Sequence, residues 1–355
     1  MQDLHPLFNL EYSQVSPLVI AGPCSAESRG QTLSAARSLS ALGVPVFRAG
    51  VWKPRTKPGG FEGYGAEALG WLCAAKEKTG MKVITEVATA SHLRLAVDAG
   101  LDGVWIGART AANPFAVQEI ADALASLSEE ERDRITVMVK NPVNPDLELW
   151  IGALERIYGS GARRLGAIHR GFSSYGANIY RNPPRWAIPI ELGRRLPGLP
   201  ILFDPSHVAG RRELVETLMA EASGMHFSGY IVEVHPNPRE ALSDAAQQLT
   251  PGQLGEILAR LSARTGSSPS ESLESLRLEI DAIDSQLLAL LARRMEISRE
   301  IGDLKRSRQL PVVQFERYKA LMEKRVAEGC QLALSPEFVR TILATIHEES
   351  VRQQL

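Results

Sequence analysis

Cysteine is scarce in this chain of 355 residues: Cys24, Cys73 and Cys330 are the only three, odd in number and far apart. That excludes a disulfide framework and makes the reducing cytoplasm the expected location. Long apolar runs are also missing, since none approaches the ~18 residues a membrane-spanning helix needs. The N-terminal MQDLHPLFNLEYSQ has no basic stretch followed by an apolar one, so no secretory signal is expected. Charge of one sign is not in excess either. The formal net charge of -1 argues against a basic coat for nucleic acid but leaves room for a local basic pocket. Neither a membrane nor a nucleic acid is an expected partner. What is present is 44% hydrophobic and 23% charged sequence, an ordinary composition that can bury a sizeable core. The length suggests two domains, or one large barrel with an extra piece.

From Leu18 to His235 one pattern repeats: a short apolar run, a polar or Gly-rich tip, then a helical stretch. The runs are LVIAGPC (18–24), VFRAG (46–50), VITEV (83–87), GVWIGAR (103–109), ITVMVKN (135–141), LGAIHRG (165–171), ILFDPSH (201–207) and YIVEVH (230–235). Continuous apolar strands alternating with amphipathic helices imply a parallel sheet covered by helices. Eight such units in about 250 residues predict an α/β fold, a (β/α)8 TIM barrel; a doubly wound sheet is the rival. The Ser-rich SARTGSSPSES (262–272) reads as a linker, and beyond it the periodicity becomes purely helical. The expected domains are a barrel at 1–262, a linker at 263–271 and a helical domain at 272–355.

Barrel enzymes take their catalytic groups from the C-terminal ends of strands. The tips here carry, in order, Cys24, Arg48, Glu86, Arg109, Lys140, Arg170, His207 and Glu233. Gathering Arg48, Lys53, Arg55, Arg109, Lys140 and Arg170 at one mouth is costly unless anions sit between them. Arginine forks suit phosphate and carboxylate, so the substrates should carry several negative charges. A second set, Cys24, His207, Glu233 and Asp244, offers sulfur, nitrogen and oxygen to a divalent metal. These ligands come from strands one, seven and eight and the loop after eight, which are neighbours only in a closed barrel. Their spacing forms no compact metal motif, and His207 could equally be structural.

The stretches GPCSAES, FRAGVWKPRT, IGART, VKNPV, HRGF, FDPSH, IVEVHPNP and ALSDAAQQL resemble, in that order, the 3-deoxy-D-arabino-heptulosonate 7-phosphate (DAHP) synthases. The resemblance is to the compact type I group related to octulosonate 8-phosphate synthases. It implies metal-dependent condensation of phosphoenolpyruvate, erythrose 4-phosphate and water, with release of phosphate. Position by position it implies Cys24, His207, Glu233 and Asp244 as ligands of a divalent metal ion, Mn2+ first, with Co2+, Fe2+ or Zn2+ also tolerated. It implies Arg48, Lys53, Arg109, Lys140 and Arg170 as the grip on phosphoenolpyruvate. Lys53 would also face the aldehyde, and Pro54, Arg55 and Thr56 would hold the phosphate of erythrose 4-phosphate. Lys140 and Glu86 are candidates for handling the attacking water's proton. Asp204, on the same strand as His207, is either structural or an orienting group. The resemblance also leads to the expectation that the regulatory domain often found ahead of this barrel is missing.

In the tail, Leu273, Leu276, Ile280, Ile283, Leu287, Leu290, Ile297, Ile301 and Leu304 recur in steps of three and four, with the seven-residue gap at Arg294, a heptad seam. Arg294 occupies one seam position, where a charge either snorkels to solvent or binds a buried anion. Lys305, eleven residues on, lies within about 20° of the same line, and Arg277 roughly 100° away. A helix of about 35 residues is roughly 50 Å long, too long for a domain of this size to cover, so an intertwined homodimer is expected. A break at Pro311, a helix near 315–328 and a third starting at Ser335-Pro336 follow. LESLRLEIDAID, LLALLARR, IGDLK, PVVQFER and EESVRQQ resemble the all-helical chorismate mutases. That resemblance implies a chorismate site made of Arg277 from the partner chain, Arg294, Lys305, Arg317, Ser350 and Gln354. Lys305 and Gln354 would donate to the breaking ether oxygen. Tyr318 and Gln314 stand where these enzymes often have Glu and Asp.

The expectation is thus a bifunctional shikimate-pathway enzyme, with feedback through the helical domain by prephenate or chorismate. Two alternatives stand beside it: a tail that only dimerises and senses a ligand, and a barrel that uses a five-carbon aldose phosphate.

Overall fold

The structure is a computed structural model describing residues 1–355 except 2, 14–15, 54–58, 176–177, 226 and 265–271, with the side chains of 264, 272–275 and 278–279 also outside the description. The chain divides into two compact units, Met1–Gly266 and Ser267–Leu355. Among the described residues no helix is long and apolar enough to cross a membrane.

The first unit is the (β/α)8 barrel. Its strands are β1 (Leu18–Gly22), β2 (Val46–Arg48), β3 (Lys82–Val87), β4 (Gly103–Ile106), β5 (Thr136–Lys140), β6 (Leu165–His169), β7 (Ile201–Phe203) and β8 (Gly229–Glu233). All are parallel and ordered sequentially, and β8 closes on β1 from Leu18↔Gly229 to Gly22↔Glu233. β1 and β2 approach so closely that a Cβ on Gly22 would lie 2.0 Å from the Arg48 carbonyl oxygen, which is why the strand ends in glycine.

Side chains alternate across each strand, and the alternation builds two cores. Outward residues such as Val19, Phe47, Val104, Val137 and Val232 pack under the helices. Inward residues Leu18, Ile20, Val46, Ile84, Trp105, Met138, Ile168, Leu202 and Ile231 fill the barrel, joined from below by Leu7 and Phe8. Those two belong to a 3-10 turn, Leu7–Asn9, pinned where Phe8 N–H donates to Thr136 Oγ1 at 3.0 Å. The N-terminal segment is therefore the barrel's plug, a role its short, unpatterned sequence does not announce.

Several apolar runs end sooner than their sequence suggests. β7 stops at Phe203, and Asp204 caps a short helix, Pro205–Ala209, that carries His207. Asp204 is thus a helix cap and not a strand residue, as Asp followed by Pro at the first helical position favours. Arg109 likewise sits on a one-turn helix, Ala108–Ala111, beyond β4. The barrel's last helix runs Pro251–Arg264, past residue 262.

The second unit has a long helix, Ser272–Ser307, a middle helix, Phe315–Gln331, and a last helix, Pro336–Gln354. Ser335 caps the last helix by accepting from Phe338 N–H, with Pro336 at its first position. Ile280, Leu287, Leu290 and Leu304 of the long helix are 50% exposed or more. Among the described residues, the seam predicted from the heptad steps is therefore largely exposed.

His169, at the end of β6, is fully buried among the rings of Trp150, Phe172, Trp186, Phe203 and Phe227. Neither ring nitrogen makes a well-formed hydrogen bond to a described residue. Burial, with Arg170 adding to it, pushes its pKa from 6.5 down to about 3. Between those values the unfolded chain binds a proton that the folded one does not, so stability falls as the pH falls. His169→Phe should flatten that slope by about 1 kcal/mol per pH unit. Denaturant unfolding at pH 6.5 and pH 5 checks it, followed by the fluorescence of the five tryptophans, all of which lie in the barrel.

Candidate active site

Alternation delivers charge to the barrel mouth. Val46, Ile84, Met138 and Ile231 point inward, so Arg48, Glu86, Lys140 and Glu233, two residues further along each strand, point inward as well. Arg48 is 1% exposed and lies 4.7 Å from the Trp105 ring. Its Nη2 reaches the Cys24 carbonyl at 3.3 Å and Glu233 Oε1 at 3.4 Å, while its Nε and Nη1 have no hydrogen-bond partner among the described residues. Arg170 Nη1, also buried, is unpartnered in the same sense. Burial lowers the Arg170 pKa to about 10, with Arg181 and Arg109 adding to the effect. Unsatisfied buried guanidinium N–H groups crowded by further cations form a site for anions.

A cavity of about 80 Å³ lies among these groups, lined by Lys53, Glu86, Arg109, Lys140, Arg170, Arg181, His207 and Asp244. Larger cavities exist elsewhere, one of about 520 Å³ around Pro189, Leu196 and Met225 and one of about 330 Å³ around Ser16, Leu42 and Leu261. Neither is lined by a charged side chain, and a third of about 340 Å³ in the helical unit has just the exposed Glu323 and Arg340, so chemistry and not size selects the site.

Beside the cavity, donor atoms of Cys24, Glu233 and Asp244 lie within 4.8 Å of one another. Cys24 Sγ is 3.3 Å from Asp244 Oδ2, and His207 Nε2 is 3.7 Å from Glu233 Oε1. The other His207 nitrogen, Nδ1, faces Asp204 Oδ2 at 2.8 Å, and Lys140 Nζ reaches the same oxygen at 2.8 Å. Burial pushes the Cys24 thiol up to about 12, Glu233 adding to it and Lys53, 3.0 Å away, opposing it. Burial also lowers the His207 pKa, with Asp204 opposing it and Lys140 adding to it. Burial opposes ionisation of Glu233 and Asp244, but His207 with Arg48 in one case and with Arg181 in the other holds both below the usual carboxylate range. Two carboxylates, an imidazole and a thiol suit a divalent metal with mixed ligands. Glu233 Oε1, buried without a hydrogen-bond partner among the described residues, is an open ligand position.

The structure thus gathers Cys24, Glu233 and Asp244, with His207 alongside and Arg48, Lys53, Glu86, Arg109, Lys140 and Arg170 around them. Pro54, Arg55 and Thr56 lie outside the described residues. In the helical unit, Arg294 Nη1 donates to Ser350 Oγ. Lys305 Nζ donates to Gln354 Oε1 at 2.8 Å and to the Val312 carbonyl at 2.7 Å. Although penultimate, Gln354 is buried, and the helices meet so tightly that a Cβ on Gly302 would lie 2.8 Å from Gln354 Cα. Tyr318 packs on His347 with ring centroids 4.3 Å apart. Arg277 and Arg317 are exposed on the long and middle helices, as is Gln314.

Residues 13–266 match the model of the DAHP synthetase I family, and residues 276–355 that of chorismate mutase type II. The chain belongs to the DAHP synthetase I family. Its barrel is similar to phospho-2-dehydro-3-deoxyheptonate aldolase of Thermotoga maritima, 37% identical over 65% of this chain and 64% of that protein. The match therefore spans just under two thirds of that relative's length. It is also similar to 2-dehydro-3-deoxyphosphooctonate aldolase of Geobacter metallireducens, 31% identical over 72% of this chain and 95% of that one. The crystal structure of the Thermotoga maritima DAHP synthase superposes with a TM-score of 0.61 at 33% identity, covering 69% of this chain and 68% of that one. A truncated form of the Thermotoga enzyme gives 0.62 at 30% identity, covering 73% and 90%.

The chain thus joins a domain of the DAHP synthetase I family to one that matches chorismate mutase type II. The DAHP synthase family is generally metal-dependent. Sequence reasoning missed Arg181, which pairs with Asp244 at 3.0 Å. It lies in the long connection after β6, far from any strand tip, where no periodicity marks it. It also missed His347, whose pKa burial lowers with help from Arg294 and Lys305. Cys24→Ser should weaken divalent-metal binding at least tenfold, because a hydroxyl is a far poorer anionic ligand than a thiolate. Chorismate turnover should be unchanged; metal titration of both proteins, with a mutase assay on each, checks it.

Proposed function

We propose that the barrel condenses phosphoenolpyruvate with erythrose 4-phosphate and water to DAHP and phosphate, and that the helical domain rearranges chorismate to prephenate. The observation that carries the first reaction is the set of buried, unpartnered N–H groups on Arg48 and Arg170 beside the sulfur–nitrogen–oxygen cluster. Arg48, Arg109, Lys140 and Arg170 hold the carboxylate and phosphate of phosphoenolpyruvate. Its C3 attacks the aldehyde carbon, water adds at C2, and the C2–O bond to phosphate then breaks. Lys140, tied to Asp204, supplies fixed positive charge; Glu86, held by Trp105 Nε1 at 3.3 Å, takes the water's proton. Lys53 faces the aldehyde, and Pro54, Arg55 and Thr56 bind the acceptor's phosphate. Cys24, His207, Glu233 and Asp244 would hold the divalent ion, Mn2+ in our reading, with Co2+, Fe2+ and Zn2+ also compatible, which supplies Lewis acidity to the aldehyde oxygen.

For the mutase, Arg294 pairs with Ser350 and Lys305 with Gln354, a set of charges and hydrogen-bonding groups that suits a pericyclic step, which needs no nucleophile and is driven by held conformation and electrostatics. Arg317 and the partner's copy of the Arg277 position complete the carboxylate clamps. The exposed seam of the long helix supports the intertwined homodimer that would bring that arginine in. Three free cysteines accord with a cytoplasmic enzyme. The domain boundaries that fit this reading are 1–262, a linker at 263–271 and 272–355.

The relatives are named for a heptonate and an octonate, so the acceptor is decided by experiment. Metal-dependent phosphate release should be faster with erythrose 4-phosphate than with arabinose 5-phosphate, and saturating prephenate should slow it. Preference for the five-carbon sugar would overturn the acceptor assignment, and indifference to prephenate the feedback. Lys305→Ala should lower kcat/KM for chorismate by about 10²–10³ and leave phosphate release intact. If the unaltered protein also turns over no chorismate, the tail is a binding module.

A further inference from the structure

The stretch ALSDAAQQL gives Asp244 to the metal cluster and leaves its two glutamines without a role. Both are buried, Gln247 at 1% and Gln248 at 0% exposure, and they reach in different directions. Gln247 Nε2 donates to Glu233 Oε2 at 2.6 Å. Its Oε1 accepts from Arg181 at 3.0 Å, the same guanidinium that pairs with Asp244. Gln248 Oε1 accepts from Cys24 N–H at 3.0 Å, and its Nε2 donates to the Ser243 carbonyl at 2.8 Å. One amide therefore ties the backbone at Cys24 to the backbone next to Asp244, across 220 residues of chain.

That tie acts on both sides, beside the hydrogen bond that the Cys24 carbonyl accepts from Gly50 N–H at 3.3 Å. Asp244 has φ +47°, a left-handed conformation that costs a non-glycine residue energy and persists only when its surroundings enforce it. The carbonyl immediately before it is the one Gln248 holds. Cys24 lies beyond the end of β1, so the β1–β8 ladder does not itself fix its position. The same two loops are laced again where the Ser25 and Ser243 hydroxyls meet and where Leu242 N–H donates to Glu27 Oε1 at 2.9 Å. A neutral amide suits the task, because it donates and accepts at once without adding charge to an already coupled cluster.

We propose that Gln247 and Gln248 are positioning residues for the metal site: Gln248 sets the separation of Cys24 and Asp244, and Gln247 aims the Glu233 carboxylate. The proposal rests on reading Cys24, His207, Glu233 and Asp244 as the ligands of one divalent ion.

The test is titration of the full chain with Co2+, read by affinity and by the sulfur-to-cobalt charge-transfer band. Gln248→Leu should bind Co2+ at least tenfold more weakly and lose most of the band. Gln247→Leu should also bind more weakly but keep the band, because it leaves the sulfur in place. Tyr230→Phe, which removes a buried hydrogen bond to the Met219 carbonyl away from the ligands, should change neither. If Gln248→Leu does not fold, Gln248→Met carries the test, since it keeps the length of the side chain and removes both hydrogen bonds without adding charge; a threefold or greater loss of affinity is expected. Wild-type affinity and band in the folded Gln248 variant overturn the positioning role. Failure of the unaltered protein to bind Co2+ overturns the metal-site reading itself.

Discussion

Closure of the barrel between β8 and β1 is the constraint on which the site depends. The register that pairs Gly22 with Glu233 sets the end of the first strand beside the end of the last. Cys24, Glu233 and Asp244 become neighbours only through it. Parallel pairing offers no hairpin to bring such residues together, and loop-closure entropy opposes contacts between distant positions. The ring of eight strands offsets that cost with the two hydrophobic cores. The cluster of Cys24, Glu233 and Asp244 is then completed by hydrogen bonds between the loops that carry them.

Charge is arranged in layers above that closure. The interior ends at Trp105, over which Arg48 lies, and everything above is ionic. Burial lowers the Arg170 pKa, with the neighbouring cations Arg181 and Arg109 adding to it, while Glu233, Asp244 and Asp204 remain ionised despite burial. Lys53 stands between the layers. Burial works against its charge, yet Cys24, Glu86 and Glu233 outweigh burial and raise its pKa. The same ammonium therefore steadies the sulfur side and faces the anion side, so a change at either is felt at the other.

Strand tips were legible because two independent periodicities agree there. The apolar runs mark the strands, and period-two alternation predicts that Arg48, Glu86, Lys140 and Glu233 turn inward. Where a helix intervenes the reading slips. Asp204 and His207 look like one strand in ILFDPSH, but Asp-Pro starts a helix, and the same happens at Arg109. Residues in long connections carried no signal at all. Arg181 and the plug residues Leu7 and Phe8 act through tertiary contacts that no local pattern encodes. Gln247 and Gln248 lie within the ALSDAAQQL motif, but their opposite hydrogen-bonding directions belong to the folded loop alone.

The helical unit reverses the usual division of labour. Its long and last helices are joined by polar pins: Arg294 to Ser350, Lys305 to Gln354, and Arg299 to Gln353 at 2.9 Å. Such bonds contribute about 1 kcal/mol each in net terms. Its large apolar side chains, meanwhile, face outward along the long helix, and each would contribute roughly 1.5–3 kcal/mol if buried. The larger stabilisation is thus available only against another apolar surface. Arg294 and Lys305 sit on the same helix as that seam, held within the chain by Ser350, Gln354 and the Val312 carbonyl, so in the proposed homodimer the surface that covers the seam also backs the helix that carries the cations.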